Sequence, residues 1–207
     1  MELIFFRIKA FWETRETRET KLMGNFVTDT TIYRGKPESG LSERQQRELA
    51  AYELLEELDI GYLRLDHGET ATIEDCHEVE KLLKIEICKN LFLCNSAKTS
   101  FYLLVMPGSK KFDTKTVARQ INSSRLSFAP AEFIEEYLNI KPGSVSILGL
   151  MNDREKKVKL LIDRDILKSE YFGCHPCVNT SSLKIKTGDL LSRFLPYTGH
   201  TPVYVDL

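Results

Sequence analysis

The chain has 207 residues, enough for one substantial domain with its own core or at most two small ones. At 42% hydrophobic and 29% charged residues it reads as an ordinary globular protein, which sets aside disordered and fibrous classes. Lysine plus arginine (29) nearly balances aspartate plus glutamate (30), and a net charge of −1 excludes the basic surface that coats long nucleic acid, so any nucleic acid is held locally.

The first apolar stretch, Leu3 to Trp12, is broken by Arg7 and Lys9. It falls short of the about 20 apolar residues that span a bilayer and has no small-residue cleavage site. The cysteines are five in number, Cys76, Cys88, Cys94, Cys174 and Cys177, and nothing resembles a secretory signal. The expectation is a reducing cytoplasmic setting with no disulfide framework and no membrane contact. Glu13 to Thr20 repeats one tripeptide, ETRETRET, without a hydrophobic period that could pack. Arg18-Glu19 can be encoded by purine-rich AGG-GAG and precedes Met23 at a ribosome-binding distance. Residues 1–22 are therefore expected to be an N-terminal extension that is not native, with the domain spanning 23–207. A genuine helical extension is the other reading.

From Ser42 and Gln45, spaced as a capping box, apolar residues recur at helical intervals to Leu58 and predict a helix over 42–58. Gly61 to His67 alternates as a strand, and a second helix runs from a cap at Thr72 to about Lys84. EICKNLFLCN and SFYLLVMPG are strand-like runs joined by SAKT, which predicts a hairpin. Short helices follow at Asp113 to Ile121 and at Pro130 to Leu138. Next come the Gly-punctuated, β-branched PGSVSILGLMND, a strand in KVKLLID and a short helix in RDILKSEYF. The strand SSLKIK, a helix in TGDLLSRFLPYTGH and a final strand in PVYVDL complete the chain. Helices and strands are interspersed with no βαβ period and no dinucleotide fingerprint, which predicts an α+β single domain with a mixed, largely antiparallel sheet.

The segment GCHPCVNTSSLKI, Gly173 to Ile185, holds Cys174 and Cys177 as C-x-x-C. A redox dithiol belongs at the start of a helix in a βαβ unit, whereas here a strand-like run follows. A zinc site needs four ligands; the other Cys-His neighbours, Cys76 and His77, are adjacent on a predicted helix and point two ways. The reading kept is of reduced, semi-buried cysteines, with no metal and no other cofactor expected.

Three segments together carry a resemblance: CKNLFLCN (Cys88 to Asn95), KPGSVSILGLMND (Lys141 to Asp153), and CHPCVNTSSLKI followed by DLLSRFLPYTGHTP. The chain resembles, over Gly24 to Leu207, the free-standing YbaK-type aminoacyl-tRNA editing proteins related to the insertion domain of bacterial prolyl-tRNA synthetase. The most similar subgroup hydrolyses alanyl-tRNA(Pro). The resemblance implies a barrel-like mixed sheet surrounded by helices. It also implies ester hydrolysis at the acceptor end of mischarged tRNA(Pro), with prolyl-tRNA synthetase as a further partner. Cys-tRNA(Pro) as substrate, and a non-catalytic tRNA-end or partner-binding module, are the alternatives.

By the same resemblance Lys89, Gly143 and Ser144 are the catalytic candidates, and Asn90, Val145, Ile147, His175, Pro176 and Asn179 the substrate-binding ones. An aminoacyl ester is already activated, so such a site needs to place a water and stabilise an oxyanion. Lys89 supplies a point charge; Asn90, one residue on, faces the other side of its strand and either shapes the loop or reaches the substrate. Gly143 lets the backbone approach, and loop N–H groups bind the carbonyl oxygen. Ile147 stands where the family has proline, and Ile147→Pro is expected to alter amino-acid discrimination more than folding. His175 shapes the pocket or contacts the amino group or water, while Asn179 and Thr180 bond or fix the turn. Gly199 and His200 fit either the family's C-terminal pattern or an ordinary helix end.

Overall fold

A computed structural model describes residues 29–69 and 73–207. The N-terminal extension, the start at Met23 and the cap at Thr72 lie outside the described residues. Among the described residues nine strands form two sheets. β1 (Tyr33–Arg34), β2 (Tyr62–Asp66), β7 (Tyr171–Cys174) and β8 (Ser181–Lys186) make an antiparallel sheet in the order β1-β2-β8-β7. β3 (Lys89–Asn95), β4 (Phe101–Met106), β5 (Leu126–Phe128), β6 (Val158–Asp163) and β9 (Val203–Val205) make a mixed one in the order β5-β3-β4-β6-β9. The predicted hairpin is β3–β4, antiparallel from Lys89 opposite Met106 to Cys94 opposite Phe101. β6 and β9 join in parallel.

The helices are α1 (Gln46–Glu57), α2 (Ile73–Leu83), α3 (Thr114–Gln120), α4 (Ala131–Leu138) and α5, a continuous run of Thr187–Asp189, Leu190–Phe194 and Leu195–Thr198. In α5 the middle stretch is π-helical, ahead of Pro196, whose missing N–H interrupts the regular ladder. Asp113 caps α3 by accepting from the Lys115 and Thr116 N–H groups.

β4 explains why FYLLVM is apolar throughout. Phe101, Leu103 and Val105 enter the principal core with Ile134 and Leu138 of α4, while Tyr102, Leu104 and Met106 enter a second core with Val117 and Ala118 of α3. Both faces of the strand are covered, so alternation has no polar side to show. On the first sheet, Tyr62 stacks on Tyr52 of α1, and Leu65 on the opposite face packs with Val79 and Leu83 of α2.

The two sheets meet at one corner, where Ile87 bridges Gly173 and the Cys88 N–H donates to the Gly173 carbonyl at 3.0 Å. A Cβ on Gly173 would sit 2.6 Å from the Glu86 carbonyl oxygen, so only glycine allows this approach. The expected α+β single domain with a mixed, largely antiparallel sheet is what forms, as two sheets joined at this corner and not closed into a barrel among the described residues.

Two local expectations are corrected, and one segment without an assigned element takes a definite form. The capping box at Ser42 and Gln45 does not form: Leu41–Glu43 is a 3-10 turn and α1 starts at Gln46. Arg44 is extended there, and its guanidinium reaches Glu48 and, at 2.5 Å, Asp66. RDILKSEYF splits into a 3-10 turn, Arg164–Lys168, and β7, because Phe172 is buried only by pairing opposite Ile185. PGSVSILGLMND ends in a 3-10 turn, Ile147–Met151, capped by the Ser146 hydroxyl, which accepts from the Leu148 N–H.

Candidate functional site

The corner between the sheets gathers most of the residues expected to act. Lys89 and Asn90 open β3 directly after the junction. Lys89 is exposed, and its Nζ donates to the Lys110 carbonyl at 2.7 Å. Lys110 is itself held: its Nζ donates to both carboxylate oxygens of buried Asp163, at 2.8 and 2.9 Å, and to the Leu207 carbonyl at 2.7 Å. Asn90 is part-buried. Its Nδ2 donates to the Cys88 carbonyl at 3.1 Å and its Oδ1 accepts from the Ile147 N–H at 2.9 Å. Asn90 is thus a clamp that fastens the glycine loop to β3.

The loop itself turns at Gly143, whose φ of 88° favours glycine. The Ser144 N–H is spent on the Lys141 carbonyl at 3.1 Å, so it is not an oxyanion donor in this arrangement. The Val145 and Ser146 N–H groups have no partner among the described residues. The Ser146 hydroxyl donates to the His175 carbonyl at 2.6 Å, which fastens the loop's other end to the tip of β7. Ile147 differs from expectation. Its side chain is fully buried in the principal core and its N–H is used by Asn90, so it supports the loop from behind.

At the tip, His175 is part-buried. Its Nδ1 lies 2.9 Å from the Ser181 carbonyl, which accepts only, so the proton sits on Nδ1 and Nε2 keeps a free lone pair. Nε2 has no partner among the described residues. Burial, helped by neighbouring His67 and opposed by the Ser181 bond, pushes the His175 pKa down to about 4. Ser182 Oγ is 3.4 Å from His175 Nδ1 and donates to His67 Nε2 at 2.9 Å, while His67 Nδ1 donates to the Gly68 carbonyl at 2.7 Å.

His67, Ser182 and Ser146 were not singled out from sequence. His67 and Ser182 meet only because β2 pairs with β8, Leu65 opposite Ser182. Ser146 had a local signal, a serine one residue before an apolar turn, which reads as a cap. Pro176 is buried, and Asn179 and Thr180 are part-buried, the Thr180 carbonyl accepting from the His67 N–H. Gly199 ends α5 with φ 65°, and buried His200 pairs with Asp153 at 3.1 Å. That pair lies at the entry to β6, where Asp153 also holds the Lys157 and Val158 N–H groups.

Residues 67–192 match the family model of the aminoacyl-tRNA editing domain. The chain is 30% identical over 153 residues to the prolyl-tRNA editing protein ProX of Acetoanaerobium sticklandii, covering 74% of this chain and 93% of that one. The chain belongs to the aminoacyl-tRNA editing domain family. This editing domain is also 30% identical, over 153 residues, to the prolyl-tRNA synthetase associated domain-containing protein 1 of Danio rerio, covering 73% of this chain and 82% of the relative. A solved structure of a proposed trans-editing enzyme for prolyl-tRNA synthetase shares the fold. Its TM-score is 0.59 at 15% identity, over 79% of this chain and 99% of that one.

The cysteines of the C-x-x-C lie inside the editing domain's core, Cys174 at 0% and Cys177 at 1% exposure, both as free thiols. Burial pushes the Cys177 pKa up to about 12 and raises that of Cys174 as well. Both therefore stay protonated and poorly nucleophilic at neutral pH. Among the described residues no group of three or more His, Cys, Asp or Glu is placed to hold a metal ion, and no helix is long and apolar enough to cross a membrane. Replacing both Cys174 and Cys177 with alanine is expected to leave single-turnover deacylation within about threefold of the unaltered protein. A loss of activity in a folded double variant would return the thiols to the chemistry.

Proposed function

We propose that this editing domain hydrolyses the ester joining a mischarged amino acid, alanine first, to the terminal adenosine of tRNA(Pro), acting in trans beside prolyl-tRNA synthetase. The observation that carries the reading is the two-ended clamp on the glycine loop, Asn90 to Ile147 on one side and Ser146 to His175 on the other. It fixes the loop that carries the unpaired Val145 and Ser146 amides against the tip of β7 that carries His175, whose Nε2 is open.

In this reading a water oxygen attacks the ester carbonyl carbon. The negative charge that develops on the carbonyl oxygen is met by the loop amides, and the Lys89 ammonium adds a point charge. Neutral His175 takes a proton from the attacking water at Nε2. The C–O bond to the ribose then breaks, and the ribose oxygen leaves with the proton that His175 Nε2 took from the water, which restores neutral His175 and gives free amino acid and intact tRNA. Fixed donors need no reorganisation as charge develops, which suits an ester that is already activated. The "KNLFL" and "HPxxN" signatures favour alanine over cysteine as the removed residue.

The test is a set of Ala-, Cys-, Ser- and Pro-charged tRNA(Pro) substrates incubated with purified protein, with and without a chelator, scored for ester hydrolysis. Alanine is expected to be released fastest, at a rate the chelator does not change. Faster release of cysteine would move the specificity, and no release from any substrate would leave a binding module on the same fold.

The titration of His175 gives a second expectation. Unfolded, its imidazole titrates near 6.5; folded, it does so near 4, so the folded state binds fewer protons between these values. Its contribution to stability is complete above pH 6.5 and is lost as the pH falls through about 4. Deacylation should accordingly show no His175 titration from pH 5 to 8. Denaturation midpoints should fall on acidification through 6.5 to 4, and His175→Asn should flatten that part of the slope.

A further inference from the structure

At the far end of the antiparallel sheet from His175 lies a cavity of about 640 Å³ that ester hydrolysis does not use. Its floor is one face of the sheet. Arg34 of β1 pairs opposite Leu63 of β2, Leu63 opposite Lys184 of β8, and Lys186 of β8 opposite Tyr171 of β7. Alternation along β8 places Lys184 and Lys186 on the same side as Ser182, the residue that contacts both His67 and His175.

The charges in this cavity are unequally satisfied. Three carboxylates stand at its rim and are met by two cations: Glu56 pairs with Lys36 at 2.8 Å, and Asp59 and Asp189 share Arg193 at 2.8 and 3.5 Å. On the floor, Lys184 donates to the Leu83 carbonyl at 3.0 Å, closing the C-terminal turn of α2, and lies 4.4 Å over the Tyr171 ring. The side chains of Arg34 and Lys186 are exposed and have neither a hydrogen-bond nor an ion-pair partner among the described residues. The unneutralised charge facing the cavity is positive, on a protein whose net charge is −1.

We propose that Arg34 and Lys186 bind backbone phosphates of the same tRNA whose aminoacyl end occupies the His175 cleft. This rests on the tRNA reading above. Ser182 and Lys186 are four residues apart on one face of β8, about 13 Å at strand spacing, with the last turn of α2 between them. One RNA strand covers that distance within a few nucleotides. Guanidinium and ammonium donors match phosphate oxygens, while Leu63 and Tyr171 provide an apolar floor for sugar or base. A near-neutral protein gains no long-range pull on RNA, so two unpaired cations placed at a fixed distance from the cleft supply grip where it selects a correctly seated acceptor end.

The test compares the unaltered protein with an Arg34→Ala, Lys186→Ala double variant, both confirmed folded by circular dichroism. Binding of uncharged tRNA(Pro) is followed by fluorescence anisotropy across a KCl series, and hydrolysis is measured on mischarged tRNA and on alanyl-adenosine, which carries the ester but no upstream phosphate. The variant is expected to bind tRNA about tenfold more weakly, with the slope of log Kd against log salt reduced by about 1.5. KM for mischarged tRNA rises in step, while kcat and alanyl-adenosine hydrolysis stay unchanged. Unaltered affinity and salt slope in the folded variant overturn the proposal and leave the cavity to another occupant, such as an acidic protein. Absence of tRNA binding by the unaltered protein overturns it as well. Because the binding arm uses uncharged tRNA, a protein that binds but does not deacylate counts against the editing reaction and not against the cavity.

Discussion

Lys89→Ala is expected to lower kcat/KM for mischarged tRNA(Pro) by about 10²–10³-fold, the usual effect of removing one preorganised donor from an oxyanion site. The unfolding midpoint should stay within about 2 °C, since an exposed side chain away from the core changes stability by about 0.5 kcal/mol or less. The Lys89 side chain makes one hydrogen bond among the described residues, to the Lys110 carbonyl, and Lys110 is anchored in turn by Asp163 and by the Leu207 carbonyl. The ammonium is therefore aimed by a chain of fixed partners without contributing to the core. Single-turnover deacylation and thermal unfolding of the same preparation measure both quantities. Full activity in the folded variant would remove Lys89 from the reaction. Lys89→Arg provides an internal comparison: it keeps the charge but spreads it over a planar fork, and is expected to recover only part of the rate.

The second large effect concerns the clamp. Asn90→Ala leaves the Ile147 N–H without its acceptor, which costs about 1–3 kcal/mol for a buried donor. In a domain of this size that lowers the unfolding midpoint by about 2–12 °C. The loop amides lose their fixed position, and kcat should fall about 10–100-fold. Ile147→Pro breaks the same bond from the other side, because proline has no N–H. The expectation from sequence, that this substitution alters discrimination more than folding, is therefore reversed: stability should fall about as far as in Asn90→Ala. The two changes remove one interaction, so the double variant should be barely less stable than either single one. Additive losses would mean that the bond does not hold the loop. Asn90→Asp keeps an acceptor for Ile147 and should restore most of the midpoint.

Several elements were legible because their causes are local. SSLKIK is a strand over the full Ser181–Lys186 because apolar and polar residues alternate toward two different environments, the principal core and the α2 side. The β3–β4 hairpin follows from two apolar runs separated by a short polar turn. α1 is shorter than predicted because Arg44 is drawn to Asp66, a partner far away in sequence. β7 was missed for a similar reason: EYFGC has no period of its own and becomes a strand when Gly173 can touch Glu86 and Phe172 can lie opposite Ile185.

The site shows the same division. KNLFL, GSVSI and HPCVN together carried the resemblance that placed the chain in its family, and it was that resemblance, with the chemistry fitted to it afterwards, that singled out Lys89, Gly143 and His175 as candidates. Which backbone groups remain open was decided by the tertiary structure alone. Ser144 spends its amide on Lys141, Ile147 turns its side chain into the core, and the Val145 and Ser146 amides are left without a partner among the described residues. The His67–Ser182–His175 chain and the Arg34–Lys186 cavity belong to the same category, since strand pairing sets both and no local pattern encodes it. Local sequence determines what each segment prefers to form and which chemistry its side chains offer. Burial and the pairing of distant strands decide which of those groups are used up in holding the fold and which remain free to meet a substrate.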